Sequence, residues 1–443
     1  MTWRKRNSLL FLLPVLLVLL LGWQCAAQET VTLTLWHHWD GQRTALLDEV
    51  LRRFEEAYPW IKVQAELKPH PTMEQLLMGI MSGTGPDVAM MEHGDSVSLG
   101  LTGGLLSIAD FVEKEGINLS EIFYPPVIDT LQNNPLVPGG DYYYLPLEAT
   151  AGYYLYYNKG LFELSGLDPN NSLPTTWSEL EAVGRKLVFQ NPDGTLAQVG
   201  IDVAAPTYNW IFNMWLNTAG GYLYSDDLRT VVLNDPASQG LLTLEWMVDF
   251  TNNINQGNSK LRQVGNPWAL TRFMEEKAAM LAGGPYNYYS IRQQSPQIDL
   301  GMAPIPYRDG HDYHPYIGLG WGYGILAATQ HPEEAWLLLK WLTMEVDGGG
   351  YLTLQQGRPG ATIEVNLQPE YFDANPYWHV IQDSFNRSIQ AKPTPPLTGA
   401  PAVLLSMVQK AVNFEMTPYE AIEWATHELQ KQLDDFWTAS TDY

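Results

Sequence analysis

Residues 36–40 read Trp-His-His-Trp-Asp, a cluster of imidazoles, indoles and one carboxylate that could serve three kinds of site. Histidines beside acids bind metals, paired carboxylates cleave glycosidic bonds, and aromatic rings bordered by polar groups hold small polar ligands. His93 and the acidic residues Glu92, Asp95 and Glu148 supply further partners for each of these chemistries. Motifs, charge and composition elsewhere in the chain discriminate among these three kinds of site.

A metal site is the weakest of the three interpretations. Adjacent residues of a strand point to opposite faces of the sheet, so His37 and His38 cannot easily share one ion. The sequence contains a single cysteine, no His-Glu-x-x-His motif, no EF-hand loop and no Gly-x-Ser-x-Gly elbow. We therefore expect neither a metal nor another cofactor.

The carboxylates keep an enzymatic interpretation open. Asp40, Glu92, Asp95 and Glu148 all follow or adjoin predicted strands, where two of them could face each other across a cleft. The chain has 49 acidic residues, however, so four near strand ends are weak evidence. A secreted carbohydrate-active enzyme, either a glycosidase or a lyase, remains the alternative to a binding protein.

Charge and composition narrow the choice of ligand. The 25 basic and 49 acidic residues give a formal net charge of −24, the wrong sign for nucleic acid or for an anionic membrane surface. The 16 tryptophans and 24 tyrosines exceed what a core needs, since both rings carry a polar group that requires a partner. Uncharged or cationic small ligands fit this composition.

Residues 1–27 have the pattern of an export signal. Three basic residues at positions 4–6 precede the aliphatic run Leu9–Leu21, which is shorter than a typical transmembrane helix. Cys25-Ala-Ala fits a cleavage site, and Cys25 also stands where a lipoprotein carries its acylated residue. We expect an exported protein, periplasmic or at the cell surface, that meets the membrane only through a lipid anchor or a membrane partner.

Strands and helices alternate along the remainder of the chain. Thr32–Leu35, Ile61–Leu67 and Asp87–Met91 are predicted strands, and the helices Thr44–Ala57 and Met73–Met81 lie between them. This order predicts a mainly parallel sheet with helices on its faces. Farther along, Thr176-Trp-Ser-Glu179 predicts a capping box and Thr417-Pro-Tyr-Glu420 a second helix start. Strand-like segments and helical stripes continue the α/β pattern, and the stripes place Trp246, Trp336 and Trp341 in the core.

Five motifs in order resemble the extracellular solute-binding proteins of ABC importers, the family that includes maltose-binding protein. They are SGTGPDVAMM (82–91), YYLPLEATAGYYLYYNKGLFELSGLD (143–168), RFMEEKAAMLAGGPY (272–286), HPEEAWLLLKWLT (331–343) and TPYEAIEWATHEL (417–429). The resemblance implies an α/β, two-lobed periplasmic-binding-protein fold, each lobe a mainly parallel sheet flanked by helices, with the ligand cleft between the lobes. It also implies a monomeric, non-enzymatic carrier that closes by hinge motion on a sugar or oligosaccharide and delivers it to the membrane-spanning subunits of an ABC permease.

The resemblance further implies a division of the chain and a set of ligand-facing residues. The implied division is lobe 1 over residues 28–146 and 304–360, lobe 2 over 147–303, a C-terminal helical part over 361–443 that belongs mostly to lobe 2, and hinges near Leu145–Leu147 and Ala303–Pro306. The implied ligand-facing residues are Trp36, His38, Trp39 and Asp40 after the first strand, Glu92, His93 and Asp95 after the third, and Glu148, Asn209, Trp210, Tyr286 and Trp321. Trp39 and Asp40 are assigned to one lobe, and Trp210 and Tyr286 to the other.

One departure from the family pattern leaves the ligand open. Maltose-type binders carry aromatic residues where this chain has Gly399-Ala-Pro-Ala402. A different sugar, a polyol phosphate or another solute therefore remains an option, as does a surface adhesin or sensor partner with the same fold. Arg358 could meet an anionic group, although an exposed loop arginine is the more ordinary interpretation.

Overall fold

The computed structural model describes residues 29–68, 73–206 and 209–440. The predicted export signal and Cys25 lie outside these described residues. The strands are β1 Val31–His37, β2 Ile61–Leu67, β3 Val88–Met91, β4 Leu145–Pro146, β5 Ala149–Ala151, β6 Tyr154–Asn158, β7 Phe189–Gln190, β8 Leu196–Gln198, β9 Met280–Gly283, β10 Leu300–Pro304, β11 Ile317–Leu319 and β12 Gly322–Ile325.

The helices surround two main sheets. They are α1 Gln42–Ala57, α2 Met73–Ser82, α3 His93–Leu101, α4 Ile108–Glu115, α5 Leu119–Ile122, α6 Pro125–Gln132, α7 Lys159–Leu164, α8 Trp177–Lys186, α9 Ile211–Thr218, α10 Gly240–Asp249, α11 Asn258–Leu261, α12 Ala269–Met274, α13 Asn287–Gln294, α14 Pro332–Thr343, α15 Tyr351–Gln356, α16 Ile363–Asn366, α17 Pro369–Ala374, α18 Trp378–Arg387, α19 Ala400–Val412 and α20 Pro418–Ser440. Short 3₁₀ turns at Pro138–Gly140 and Pro236–Ser238 and π-turns at Phe250–Ile254 and Val346–Gly350 complete the set.

The first sheet has the order β2-β1-β3-β12-β4. Strand β1 pairs in parallel with β2 and β3, whereas β12 is antiparallel to both β3 and β4. Residues Leu33, Leu35 and His37 of β1 are buried and share one face, so the alternation seen in the sequence continues to the end of the strand. The predicted strand Thr32–Leu35 is therefore two residues too short at its C-terminal end.

The second sheet has the order β10-β6-β9, and both outer strands are antiparallel to β6. This differs from the mainly parallel sheet that the resemblance implied for the second lobe. Long helical excursions separate β6 from β9 and β9 from β10, and a connection of that length can return a strand in either direction. The order of elements in the sequence therefore does not determine the direction of pairing.

Three segments, which we call the connectors, carry the chain between the two sheets. Residues 147–153 lead from β4 to β6, and residues 305–321 lead back from β10 to β12. Strands β5 and β11 within them pair antiparallel, and Tyr316 forms a parallel bridge with Ile389 of the third connector, residues 388–399. The predicted hinge Leu145–Leu147 is thus mostly strand β4, and Ala303–Pro306 begins within β10.

Two large hydrophobic cores follow from this arrangement, and a small third cluster surrounds Leu261 in the described part of the chain. Successive residues of β6 alternate between the two large cores: Tyr154 and Tyr156 belong to the first core, and Leu155 and Tyr157 to the second. The first core surrounds the first sheet and continues beneath one face of the second. The second core fills the other face, with apolar residues of α9, α10, α19 and α20 packed into it.

Several local predictions are confirmed. Thr176 and Glu179 form a reciprocal capping box at the start of α8, and Thr417 and Glu420 exchange the same bonds at α20. Of the tryptophans predicted to be core, Trp246 and Trp336 are buried, and Trp341 is partly buried against the first core. Among the residues described, no helix has the length and apolar character needed to cross a membrane.

Candidate functional site in the inter-sheet cleft

Two adjoining cavities lie beside the connectors, and together we call them the cleft. The large cavity has a volume of about 480 Å³ and the small cavity a volume of about 280 Å³. Both are lined by Thr150, by Ile317 and Gly318 of β11, and by residues 391–394 of the third connector. The cavities therefore meet at the crossing between the two sheets.

Six of the twelve predicted ligand-facing residues line the cleft. Glu92, His93, Glu148, Tyr286 and Trp321 line the large cavity, and Trp210 lines the small one. They come from the end of β3, the first connector, the turn after β9, the turn before β12 and the start of α9. Elements that adjoin both sheets thus contribute side chains to the cleft.

Residues after the first strand lie behind the cleft wall. Trp39 is only 1% exposed and its indole N–H donates to the Tyr323 hydroxyl at 3.3 Å, so its ring belongs to the first core. The ring of His38 packs edge-on against Trp321 at 4.9 Å. Its Nδ1–H donates to the Lys68 carbonyl at 3.1 Å, which fixes the tautomer of this ring.

Four more of the predicted ligand-facing residues also lie outside the lining of the cleft: Trp36, Asp40, Asp95 and Asn209. The Trp36 ring lies 4.4 Å from the Lys68 ammonium, and the exposed Asp40 pairs with Arg43. Asp95 lies in the first turn of α3, where a carboxylate favours the positive end of the helix dipole. Asn209 is exposed just before α9.

A charged pair forms the floor of the large cavity. Arg358 donates from Nη1 to Glu148 Oε2 at 2.8 Å, with 8% of the glutamate side chain and 23% of the arginine side chain exposed. Burial raises the pKa of Glu148, and the charge of Arg358 opposes that rise. Among the described residues, Glu148 Oε1 is buried without a hydrogen-bond partner. The pair therefore leaves one buried carboxylate oxygen unsatisfied in a residue that lines the cavity.

Neighbouring residues hold Arg358 firmly in this position. Its carbonyl accepts the Tyr371 hydroxyl at 2.7 Å, and its amide donates to the Thr353 carbonyl at 2.9 Å. Gly357 ends α15 with a φ of 62°, and a side chain there would run into the Tyr289 ring. The exposed-loop interpretation of Arg358 is therefore wrong, because the backbone turns its guanidinium inward over the Tyr286 ring.

The chain is similar to known proteins over most of its length. The family model for bacterial extracellular solute-binding proteins matches residues 40–345. This chain is a member of that family. The sn-glycerol-3-phosphate-binding periplasmic protein UgpB of Brucella abortus is 26% identical to it, with 95% of this chain and 94% of UgpB covered.

Solved structures agree with this assignment. An ABC transporter solute-binding protein of Thermotoga lettingae, bound to α-D-tagatose, is 25% identical with a TM-score of 0.70 and covers 91% of this chain and 100% of its own. The maltotriose-bound MalE domain of Bdellovibrio bacteriovorus is 21% identical with a TM-score of 0.68 and covers 92% and 100%. The two-lobed fold is confirmed, and the chain is the exported solute-binding component of an ABC importer.

The electrostatics of this solute-binding protein place a neutral imidazole at the cleft. Removal from solvent lowers the pKa of His93 to about 4, so the ring is uncharged at neutral pH. It packs against the buried Tyr144 ring at 5.6 Å. His37, buried in β1, also has a lowered pKa and accepts the Trp39 amide at Nδ1. Within the described ranges, no group of three or more histidine, cysteine or acidic residues could hold a metal ion.

Aromatic and amide groups line the small cavity of the solute-binding protein. The rings of Trp210 and Tyr153 are stacked with centroids 5.0 Å apart and planes 13° from parallel. Asn213 and Tyr222 also line this cavity. Among the described residues that line the cleft, Asn213 Oδ1 is, after Glu148 Oε1, a second buried oxygen without a hydrogen-bond partner.

Sequence reasoning missed several cleft residues. Arg358 belongs to the large cavity, Tyr153 and Asn213 to the small one, and residues 390–394 to the rim. The family pattern directs attention to Gly399–Ala402, around the start of α19, whereas residues 391–394, just before them, line both cavities. The proline-rich run Lys392-Pro-Thr-Pro-Pro396 was the available signal, because such a run stays extended and crosses between elements.

Proposed function

We propose that this solute-binding protein holds a sugar or short oligosaccharide in the cleft and delivers it, unchanged, to an ABC permease. The observation that carries the proposal is the pair of adjoining cavities with aromatic walls and unsatisfied buried oxygens. Sugars present apolar C–H faces that pack on aromatic rings and hydroxyls that donate to buried acceptors. The tagatose bound by the Thermotoga lettingae relative supports the same ligand class.

Ligand capture by closure of two lobes follows from the same geometry. Trp210 and Tyr286 adjoin elements of the second sheet, whereas Glu92 and His93 adjoin the first. A ligand that touches both sets favours the closed arrangement, because only differential affinity shifts a conformational equilibrium. We place the hinge in the three connectors, and the division of the chain into lobes at residues 146 and 303 remains our proposal.

Removal of a cleft ring tests the proposal directly. We expect Trp210→Ala and Tyr286→Ala each to weaken sugar binding by about tenfold or more, taking roughly 1–3 kcal/mol for one lost stacking surface. The sugar is first found by thermal-shift screening of the purified mature protein, since a ligand specific to the folded state raises the unfolding midpoint. Affinities are then measured by isothermal titration calorimetry.

Trp336→Ala is the matched control for this experiment. Trp336 is 1% exposed in the first core and donates to Glu115, and neither residue lines the cleft. Its loss should lower the free energy of unfolding by about 3–5 kcal/mol and leave the affinity of the folded protein unchanged. Normal affinity in both cleft variants would contradict the proposed site.

Unchanged recovery of the sugar separates the carrier from the enzymatic alternative. Glu92 and Glu148 line the same cavity and are the carboxylates that a glycosidase would use there. We expect the bound sugar to be recovered intact after prolonged incubation with stoichiometric protein, as shown by mass spectrometry. Cleaved sugar that disappears with Glu148→Gln would overturn the non-enzymatic assignment.

Processing at the N-terminus can be read from the mass of the native protein. The basic, aliphatic and Cys-Ala-Ala segments of residues 1–27 lead us to expect removal of the chain up to Gln24 or Ala27. Intact-mass analysis of protein from the native envelope measures this. An acyl mass on Cys25 would establish a lipid anchor, a start at Gln28 would exclude it, and an unprocessed chain would contradict the prediction.

A further inference from the structure

The charges that line the cleft cancel one another. Glu92 and Glu148 supply two negative charges, and Arg358 and Lys392 supply two positive ones. Lys392 Nζ lies 3.5 Å from Oδ1 of the exposed Asp226, and Arg358 forms its ion pair with Glu148. His93 adds no charge at neutral pH. The cleft therefore offers no net positive charge to replace the hydration of a phosphate or carboxylate.

The Glu148–Arg358 pair has the hydrogen-bonding pattern of a diol receptor. An ionised carboxylate can only accept hydrogen bonds, so the unsatisfied Glu148 Oε1 requires an O–H or N–H donor. The guanidinium carries five N–H donors and can serve a second acceptor beside the carboxylate. A phosphate oxygen placed next to Oε1 would offer no proton and would meet a buried like charge.

We propose that the Glu148–Arg358 pair selects an uncharged ligand with two adjacent hydroxyl groups and discriminates against phosphorylated and acidic sugars. One hydroxyl donates to Glu148 Oε1, and its neighbour accepts from Arg358. This inference rests on the proposed function, since it names the ligand class of the same cleft. It also distinguishes this chain from UgpB, whose name assigns it sn-glycerol-3-phosphate.

The test compares neutral sugars with their charged counterparts. The probes are mannose, mannobiose, mannotriose, glucose, maltose, maltotriose and tagatose, the corresponding sugar phosphates and uronates, and sn-glycerol 3-phosphate. With the mature protein in calorimetric titrations, we expect the best neutral sugar to bind at least about tenfold more tightly than its anionic counterparts. Glu148→Gln should reduce that preference by about tenfold, because it frees the charge of Arg358 while keeping the shape of the side chain.

Asp383→Asn is the matched control, since it removes an equal charge from an exposed position on α18 that lines neither cavity. Its effect on the preference should be below about threefold, as expected for a solvent-screened charge. Equal effects of the two variants would overturn the role of the pair. Tighter binding of a sugar phosphate than of its neutral sugar would overturn the inference alone. Binding of sn-glycerol 3-phosphate only, or of no sugar, would overturn the proposed function as well.

Discussion

Replacement of Arg358 by alanine is expected to weaken sugar binding by about a hundredfold and to lower the free energy of unfolding by roughly 2–3 kcal/mol. The carboxylate of Glu148 would then remain buried without its 2.8 Å partner, and a buried unpaired charge destabilises the folded state strongly. The 23% exposure of the arginine side chain keeps the expected loss below that of a fully buried pair. Titration calorimetry and urea denaturation measure the two effects.

A double variant shows whether the loss comes from the pair itself. Glu148→Gln removes the buried charge, so Arg358→Ala should cost less stability in that background than in the wild type. The difference between the two costs is the interaction free energy of the pair. Equal costs in both backgrounds would show that Arg358 stabilises the fold through its packing against Tyr286 and not through Glu148.

Replacement of Asp202 by alanine is expected to lower the free energy of unfolding by about 3–5 kcal/mol. Its Oδ2 accepts from Arg272 at 2.6 Å and from Arg262 at 2.7 Å, and Arg272 is completely buried. Without the aspartate, the two guanidinium groups would repel each other without the carboxylate that bridges them, and Glu275 would act on Arg272 only as a weaker negative charge. Its Oδ1 also accepts the Ala204 amide at 3.1 Å.

Asp383→Ala is the control for this second prediction. Asp383 and Arg387 form an exposed pair on α18, with about half of each side chain accessible to solvent. Its removal should cost less than about 1 kcal/mol in the same denaturation experiment. A similar small cost for Asp202→Ala would mean that the buried arginines are compensated by another group. Sugar affinity of the folded Asp202 variant reports whether the start of α9 still positions Trp210.

Local sequence patterns determined much of the fold. The alternation around Leu33 and Leu35, the capping boxes at Thr176 and Thr417, and the helical stripe containing Trp336 all predicted elements that the structure contains. These signals are local, because strand alternation, helix caps and apolar stripes each depend on residues a few positions apart. Five motifs in order along the chain indicated the resemblance to the family, since their order reflects the whole fold.

Only the tertiary structure decided which polar residues share the cleft. The sequence placed Trp39 at a ligand-facing strand end, but β1 runs on to His37 and the indole turns into the core. It treated Arg358 as a loop arginine, although the turn at Gly357 and the Tyr371 hydroxyl direct it to Glu148, 210 residues earlier. Pairing between distant side chains depends on how the connectors bring the two sheets together. Neither local periodicity nor composition encodes that geometry, so the Glu148–Arg358 pair became visible only in the folded chain.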